Sequence, residues 1–337
     1  MPSNSATKSS ANAALTRGKF PVWRNPDMVF QITLLAIFLA VFIALSLTAR
    51  NFLTLSNLLN IVRQAAPTLI VAVGMTLVIT TGGIDLSVGS GTAVVAVVCA
   101  TALQAGWNVP LAIAAMIVLG LVIGMINGYF VAFQSIPAFI VTLAMLSMLR
   151  GTAQLLTQGY SVPIDPDSAF LWFGRGRIGV VPVPAIIALI VVVLGYVLLN
   201  HTTLGTYITG LGSNEESVRR SGVNVRRVKL LVYMLSGLVV ALGGMVTAAR
   251  LASGSSYTGV AFELQVIAAV IVGGTNLFGG EGRMLGTVLG TLLLAMIGNG
   301  LILLRISPFY QQIIEGMIIL LAIWFNLSLS GRWLRGR

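Results

Sequence analysis

Asp85 is the acidic side chain best placed to do chemistry beside a long apolar run. It lies in Gly82-Gly83-Ile84-Asp85-Leu86-Ser87-Val88-Gly89-Ser90-Gly91, which aligns without gaps to Gly273-Gly274-Thr275-Asn276-Leu277-Phe278-Gly279-Gly280-Glu281-Gly282. Both read G-G-x-[DN]-L-x-x-G-x-G and both lie between apolar runs, so the chain carries an internal repeat at two helix interruptions. Clustered glycines interrupt helices because they adopt φ > 0 and weaken helix interiors. Broken backbone at membrane depth is tolerated only against protein or a watery cavity. Two roles are open to Asp85 and Asn276: capping the helices that restart after them, or bordering a translocation path. Carriage of a proton or ion by Asp85 is a third. Thr80, Thr81, Ser87 and Thr275 add hydroxyls to the same segments, a set suited to a neutral, hydroxyl-rich solute. The spans hold no arginine cluster of the kind that phosphate or carboxylate substrates favour.

A second group lies in a polar stretch, Gly212-Ser213-Asn214-Glu215-Glu216-Ser217-Val218-Arg219-Arg220-Ser221-Gly222. Its pattern predicts a short helix: Ser213 and Glu216 make a capping box, acids occupy the first turn, Arg219 and Arg220 the last, and Gly222 the stop. Such a helix between two spans suits docking to a partner protein. The alternative is an arginine anchor on anionic lipid, which needs charge but no defined helix length.

Other chemistries find no residues. With one cysteine, Cys99, and one histidine, His201, the chain has no disulfide framework or Cys/His metal site of its own. No G-x-x-x-x-G-K-[ST] loop occurs, and Gly280-Glu281-Gly282 fails as a dinucleotide fingerprint because Leu285 replaces its third glycine. Neither a resident cofactor nor an enzymatic acid/base cluster is expected, and any ATP must be hydrolysed by another chain. Asp85 apart, Arg150, Glu263 and Glu315 are the main charges near the spans, few for a carrier driven by an ion gradient or for a channel, the competing transport class. Arg150 and Glu315 suit interfacial positions or interhelical hydrogen bonds.

The elements that hold these residues are membrane helices. Of 337 residues 57% are apolar and 9% charged, with mean hydropathy +0.96, which excludes a soluble enzyme. The net charge of +11 has no basic arm or aromatic-basic motif behind it that would suit nucleic acid; lysines and arginines gathered on the cytoplasmic side explain it. Apolar runs predict spans near 28–48, 66–81, 88–104, 110–132, 137–157, 183–200, 229–250, 262–274, 284–304 and 308–327, two of them short. The fold class is all-α, a polytopic bundle of about ten membrane helices. Residues 1–27 and 328–337 are expected as cytoplasmic tails around one transmembrane domain, 28–327. Loop 201–228 then lies inside and loop 158–182 outside. The outer loop carries Tyr160, Asp165, Asp167, Trp172, Phe173, Arg175 and Arg177, suited to a protein interface or, for Trp172 and Phe173, to an interfacial belt.

Several separated runs resemble one family. They are Gly212 to Glu216 through Ser221-Gly222-Val223-Asn224-Val225, Arg226-Arg227-Val228-Lys229 and Leu235-Ser236-Gly237, together with Ala72 to Ile79 leading into Gly82 to Ser90. Ile126-Asn127-Gly128 and Pro137 to Leu143 join them. From about Phe52 to Trp324 the chain resembles the bacterial ABC-transporter permeases of ribose, xylose and galactose type. One departure is Thr206, where relatives often carry a basic residue. The resemblance implies an inner-membrane homodimer or pseudo-dimer, two cytoplasmic ATP-binding subunits and a periplasmic substrate-binding protein. It also makes Ser213, Asn214, Glu215, Glu216, Arg219, Arg220 and Gly222 the ATPase contact, and Trp172, Phe173 and Arg175 the binding-protein contact.

Overall fold

The computed structural model describes residues 26–307 and positions 309–310, 313–314, 316–317 and 320–321. The tails, Glu315 and most of the expected span 308–327 lie outside the described residues. In order the chain forms α1 (Pro26–Thr48), α2 (Leu55–Thr80), α3 (Val88–Gln104), α4 (Val109–Ala132), α5 (Ala138–Thr157), a short α6 (Trp172–Arg175), α7 (Val183–His201), α8 (Thr203–Arg220), α9 (Val225–Leu251), α10 (Phe262–Val272) and α11 (Met284–Leu303). Among the described residues seven helices are long and apolar enough to span a membrane, whereas α3 and α10 are shorter. The fold is an all-α polytopic bundle.

Most boundaries follow the apolar runs closely. The second span does not: it starts at Leu55 rather than 66. Thr54 caps it by accepting a hydrogen bond from the Asn57 N–H. Asn57 then bonds across to Asn299 of α11 at 3.0 Å, so these polar residues belong to a helix that faces another helix instead of lipid. The segment expected as a short helix at 213–221 directly follows another helix that begins at Thr203, the two running together as α8 across a kink at Asn214.

The centre of the bundle is α9, packed against α2, α3 and α4. Its closest neighbour is α4, whose Gly120, Gly124 and Gly128 recur every fourth residue and so share one face. A side chain at Gly120 would strike the Gly237 backbone, one at Gly124 the Tyr233 carbonyl, and one at Gly128 would meet Leu230. Membrane helices lack a hydrophobic drive to associate in lipid and rely on such close approach.

At the end opposite α8, β1 (Val162–Pro163) pairs with β4 (Ser253–Gly254), while β2 (Arg177–Ile178) pairs with β3 (Val181–Pro182). From β4 the chain runs back along α3 without helical structure. Gly254 presses on Ala96 and Val97, and Gly259 on Gly89, near the opposite end of α3. Only then does the 11-residue α10 begin, a half-span of about 16 Å. The extended stretch needs partners for its carbonyls, and Arg150 of α5 supplies them. Its guanidinium donates to the carbonyls of Ser256, of Thr258 at 2.8 Å and of Gly259 at 3.1 Å. Of the two settings expected for Arg150, the structure therefore shows hydrogen bonding between elements.

Gly124→Leu should separate α4 from α9 and cost about 1–3 kcal/mol or more through overpacking. Gly151→Ala, with open space around the glycine, should be neutral or slightly stabilising. Thermal unfolding of the two purified variants in one detergent checks this; equal midpoints would refute the tight α4–α9 seam.

Candidate functional site

The two glycine turns close their helices in the same way. After α2, Gly82 takes φ +81° and donates to the Ile79 carbonyl at 2.8 Å, and Gly83 donates to Val78 at 3.1 Å. After α10, Gly274 takes φ +87° and donates to Ile271 at 2.8 Å, and Thr275 donates to Val270 at 3.2 Å. These are the paired bonds of a Schellman stop. The stops are offset by one residue from the gapless alignment, while the Asx residues keep it. Asp85 Oδ1 accepts from the Ser87 N–H at 3.0 Å, and Asn276 Oδ1 from the Phe278 N–H at 3.1 Å.

Asp85 is nearly fully buried and its carboxylate is taken up by the protein. Oδ1 also accepts from the Ser87 hydroxyl at 2.6 Å, and Oδ2 from the Ser236 hydroxyl of α9 at 2.9 Å. The Ser87 oxygen in turn accepts from Asn127 Nδ2 of α4 at 2.8 Å, and Thr142 of α5 donates to the Ile84 carbonyl at 3.0 Å. One turn thus ties three helices. Three of the runs that carry the resemblance, around Asn127, Thr142 and Ser236, each place one polar side chain here. Those side chains were not singled out in the sequence; their signal was a lone polar residue inside an apolar run. Tyr233 closes the site, its buried hydroxyl 2.6 Å from where a Gly83 Cβ would stand.

The sequence-derived path residues divide accordingly. Thr80, Asp85, Ser87 and Thr275 are buried and bonded within the protein. Thr81 and Asn276 are partly exposed. The two turns do meet: the Gly280 N–H donates to the Thr80 carbonyl at 3.0 Å. Against that junction lies α8, with Gly212 so close to Thr80 and Gly280 that any side chain would clash.

The helix breaks immediately after this contact. Asn214 has φ −161° and ψ 96°, and its side chain accepts from the Ser217 N–H at 2.9 Å. The cap of the last turns is therefore Asn214 and not Ser213, whose hydroxyl donates back to the Thr209 carbonyl at 3.0 Å. The difference is physical: Ser213 still continues the preceding helix, so the residue free to leave helical geometry is the next one. Glu216 pairs with Arg219 and, at 2.9 Å, with Arg220, while Glu215 pairs with Lys229 of α9 at 2.7 Å. Gly222 takes φ +83°, as its place at the helix stop requires. Between these residues, Gly82–Gly83 and Pro137 a cavity of about 670 Å³ opens at the α8 end.

At the other end α6 packs on the end of α9. Trp172 is half exposed, Phe173 is partly buried beside it, and Arg175 Nε donates to the Arg250 carbonyl at 3.0 Å. Among the described residues no group of His, Cys, Asp and Glu could hold a metal ion.

Residues 57–323 match the family described as Branched-chain amino acid transport system / permease component. The ribose import permease protein of Escherichia coli strain K12 is 44% identical over 87% of this chain and 92% of its own length. This chain belongs to the permease family of bacterial ABC-type sugar importers. The xylose transport system permease protein of the same organism is 32% identical, covering 95% of this chain and 97% of the relative. Its galactofuranose transporter permease protein is 36% identical over 78% and 77%. No solved structure matches. The chain is thus a multi-pass permease component.

Ser236→Ala would leave Asp85 Oδ2 without its donor and should destabilise by about 1–3 kcal/mol. Asp85→Asn, which keeps the Asx turn and can still bond Ser236, should be milder, and Asp85→Leu worst. Ranking the three by thermal unfolding tests whether Asp85 braces the bundle; equal stability for all three would refute it.

Proposed function

We propose that this chain is the membrane permease of an ATP-driven importer for a monosaccharide or similar polyol. The observation that carries the mechanism is the seat of the α8 kink on both glycine turns. A partner that moves the segment 214–222 pushes on the junction of Thr80 and Gly280, and through Asp85 on α9, α4 and α5. The importers' sugar names, ribose, xylose and galactofuranose, support the solute class.

In this reading Ser213, Asn214, Glu215, Glu216, Arg219, Arg220 and Gly222 form the contact with a cytoplasmic ATP-binding subunit. The permease works as a homodimer in the inner membrane with both tails in the cytoplasm, an orientation supported by the basic residues of the tails. Thr80, Thr81, Asp85, Ser87, Thr275 and Asn276 frame the inner end of the passage. Most of them act by holding the turns, with Thr81 and Asn276 at its edge. Opposite, Trp172, Phe173 and Arg175 receive a periplasmic substrate-binding protein, since aromatics and arginines are enriched at interfaces.

Uptake into vesicles holding the permease with its ATP-binding and substrate-binding partners separates the transport classes. Uptake of ribose or xylose should require ATP and persist without an ion gradient; gradient-driven uptake without ATP would assign the chain to secondary transport. In the same vesicles Gly222→Val should insert normally but lose ATPase coupling. The space around Gly222 is open, so the cost is conformational, about 1–2 kcal/mol. Full coupled uptake by this variant would refute the contact. A photocross-linker at 172, 173 or 175 should capture the binding protein in a sugar-dependent way; adducts from none of these positions would remove that assignment.

A further inference from the structure

A polar stripe winds along α2. Asn57, Asn60, Gln64, Thr68, Thr76 and Thr80 follow one another at three or four residues, with Ala72 filling the one gap. Consecutive members so spaced adjoin on the helix surface, and each four-residue step turns the stripe by about 40°. The antiparallel α11 answers with Thr287, Thr291 and Asn299, again on a four-residue spacing with Ala295 in the gap. Two contacts pin the stripes together: Asn57 and Asn299 exchange a reciprocal pair of amide hydrogen bonds, each 3.0 Å, at one end, and Thr76 and Thr287 share one hydroxyl bond at 2.8 Å toward the other. Between them the helices part around a cavity of about 230 Å³, closed on its third side by the half-helix α10.

Amides and hydroxyls from Gln64, Thr68, Gln265, Thr291 and Asn299 line this cavity, alternating with alanines, a glycine and the larger Leu294 and Ile302. No charged side chain is among its lining residues. Gln64 and Gln265 are both exposed although they sit on membrane-depth helices. Polar side chains at that depth face a bundle interior or water, not lipid tails. The chemistry that fits is a neutral polyhydroxyl solute: each hydroxyl can donate and accept, and no buried charge is left to pair.

We propose that this cavity is the mid-membrane station of the solute, and that the Asn57–Asn299 and Thr76–Thr287 bonds are the closures on its two sides. The proposal rests on the importer reading and deepens it by naming where the solute is held. Because the closures are one hydroxyl hydrogen bond and one reciprocal pair of amide hydrogen bonds, all between neutral groups, each opens without uncovering a charge. The solute's own hydroxyls can replace either bond as it passes.

The test uses the complete transporter in proteoliposomes, with Cys99→Ala removing the one native thiol. Thr68→Cys and Gln265→Cys are made singly, with Leu155→Cys, on an exposed apolar position of α5, as the control. A charged methanethiosulfonate reagent should label positions 68 and 265 at least about tenfold faster than 155 and lower uptake by a similar factor. Ribose or xylose, whichever is transported, should slow the labelling of 68 and 265 alone. In addition, the Thr76→Cys/Thr287→Cys pair should form a disulfide on oxidation that stops uptake, and reduction should restore it. Labelling reads water access whether or not transport is ATP-driven. Unlabelled positions 68 and 265 in a vesicle that takes up sugar with ATP would overturn the station and leave the importer reading standing. Labelling that neither blocks uptake nor responds to sugar would also overturn it.

Discussion

In hydrocarbon no water reaches the backbone, so every peptide group must find its partner within the protein. The architecture follows from how this chain meets that demand at the places where its helices stop. Arg150 spends its guanidinium on three carbonyls of the stretch before α10. The two glycine turns close on themselves with Schellman bonds and on each other through Gly280 and Thr80. The backbone groups freed where the spans are interrupted are thereby paired within the protein, and polar side chains such as Asp85 are held at the breaks.

The same economy explains how distant parts of the sequence communicate. The α8 kink touches the junction of the turns, the first turn carries Asp85, and Asp85 is bonded to α9 while Ser87 is bonded to α4. This is a contiguous chain of packed backbone and hydrogen bonds, the physical requirement for force at one end to be felt at the other. Glycine is what allows the contact at Gly212: backbone meets backbone there, so a displacement of α8 is not absorbed by a side chain changing rotamer.

Much of the bundle was legible because long apolar runs between breakers have one solution in a membrane. Runs such as 88–104 and 183–200 became helices almost residue for residue. The failures have a common cause. Asn57, Asn60, Arg63 and Gln64 read as a loop because a hydropathy pattern assumes that polar residues avoid the membrane, and it has no knowledge of the facing stripe on α11. The cap at 214 instead of 213 turned on how far the preceding helix ran, which local pattern does not determine. The network around Asp85 was half visible: the turn and its Asx residue stood out, but its partners lie 40 to 151 residues away and only the fold brings them together. The repeat was visible in sequence and gained a detail, since the helix stops slip by one residue while the Asx turns do not.

The bonds of Arg150 also bear on how the protein is made. Its carbonyl partners lie 106 to 109 residues further along the chain. At ordinary synthesis rates they emerge about 5–20 s after the arginine does. During that interval α5 is a membrane helix with an uncompensated cation, a state that costs several kcal/mol unless the side chain snorkels to the surface or finds water. The helix is therefore a poor tenant of the bilayer by itself, and its settled position depends on a segment not yet synthesised. Insertion of this permease is for that reason a cooperative event in which the later half of the chain licenses the final seating of the earlier half.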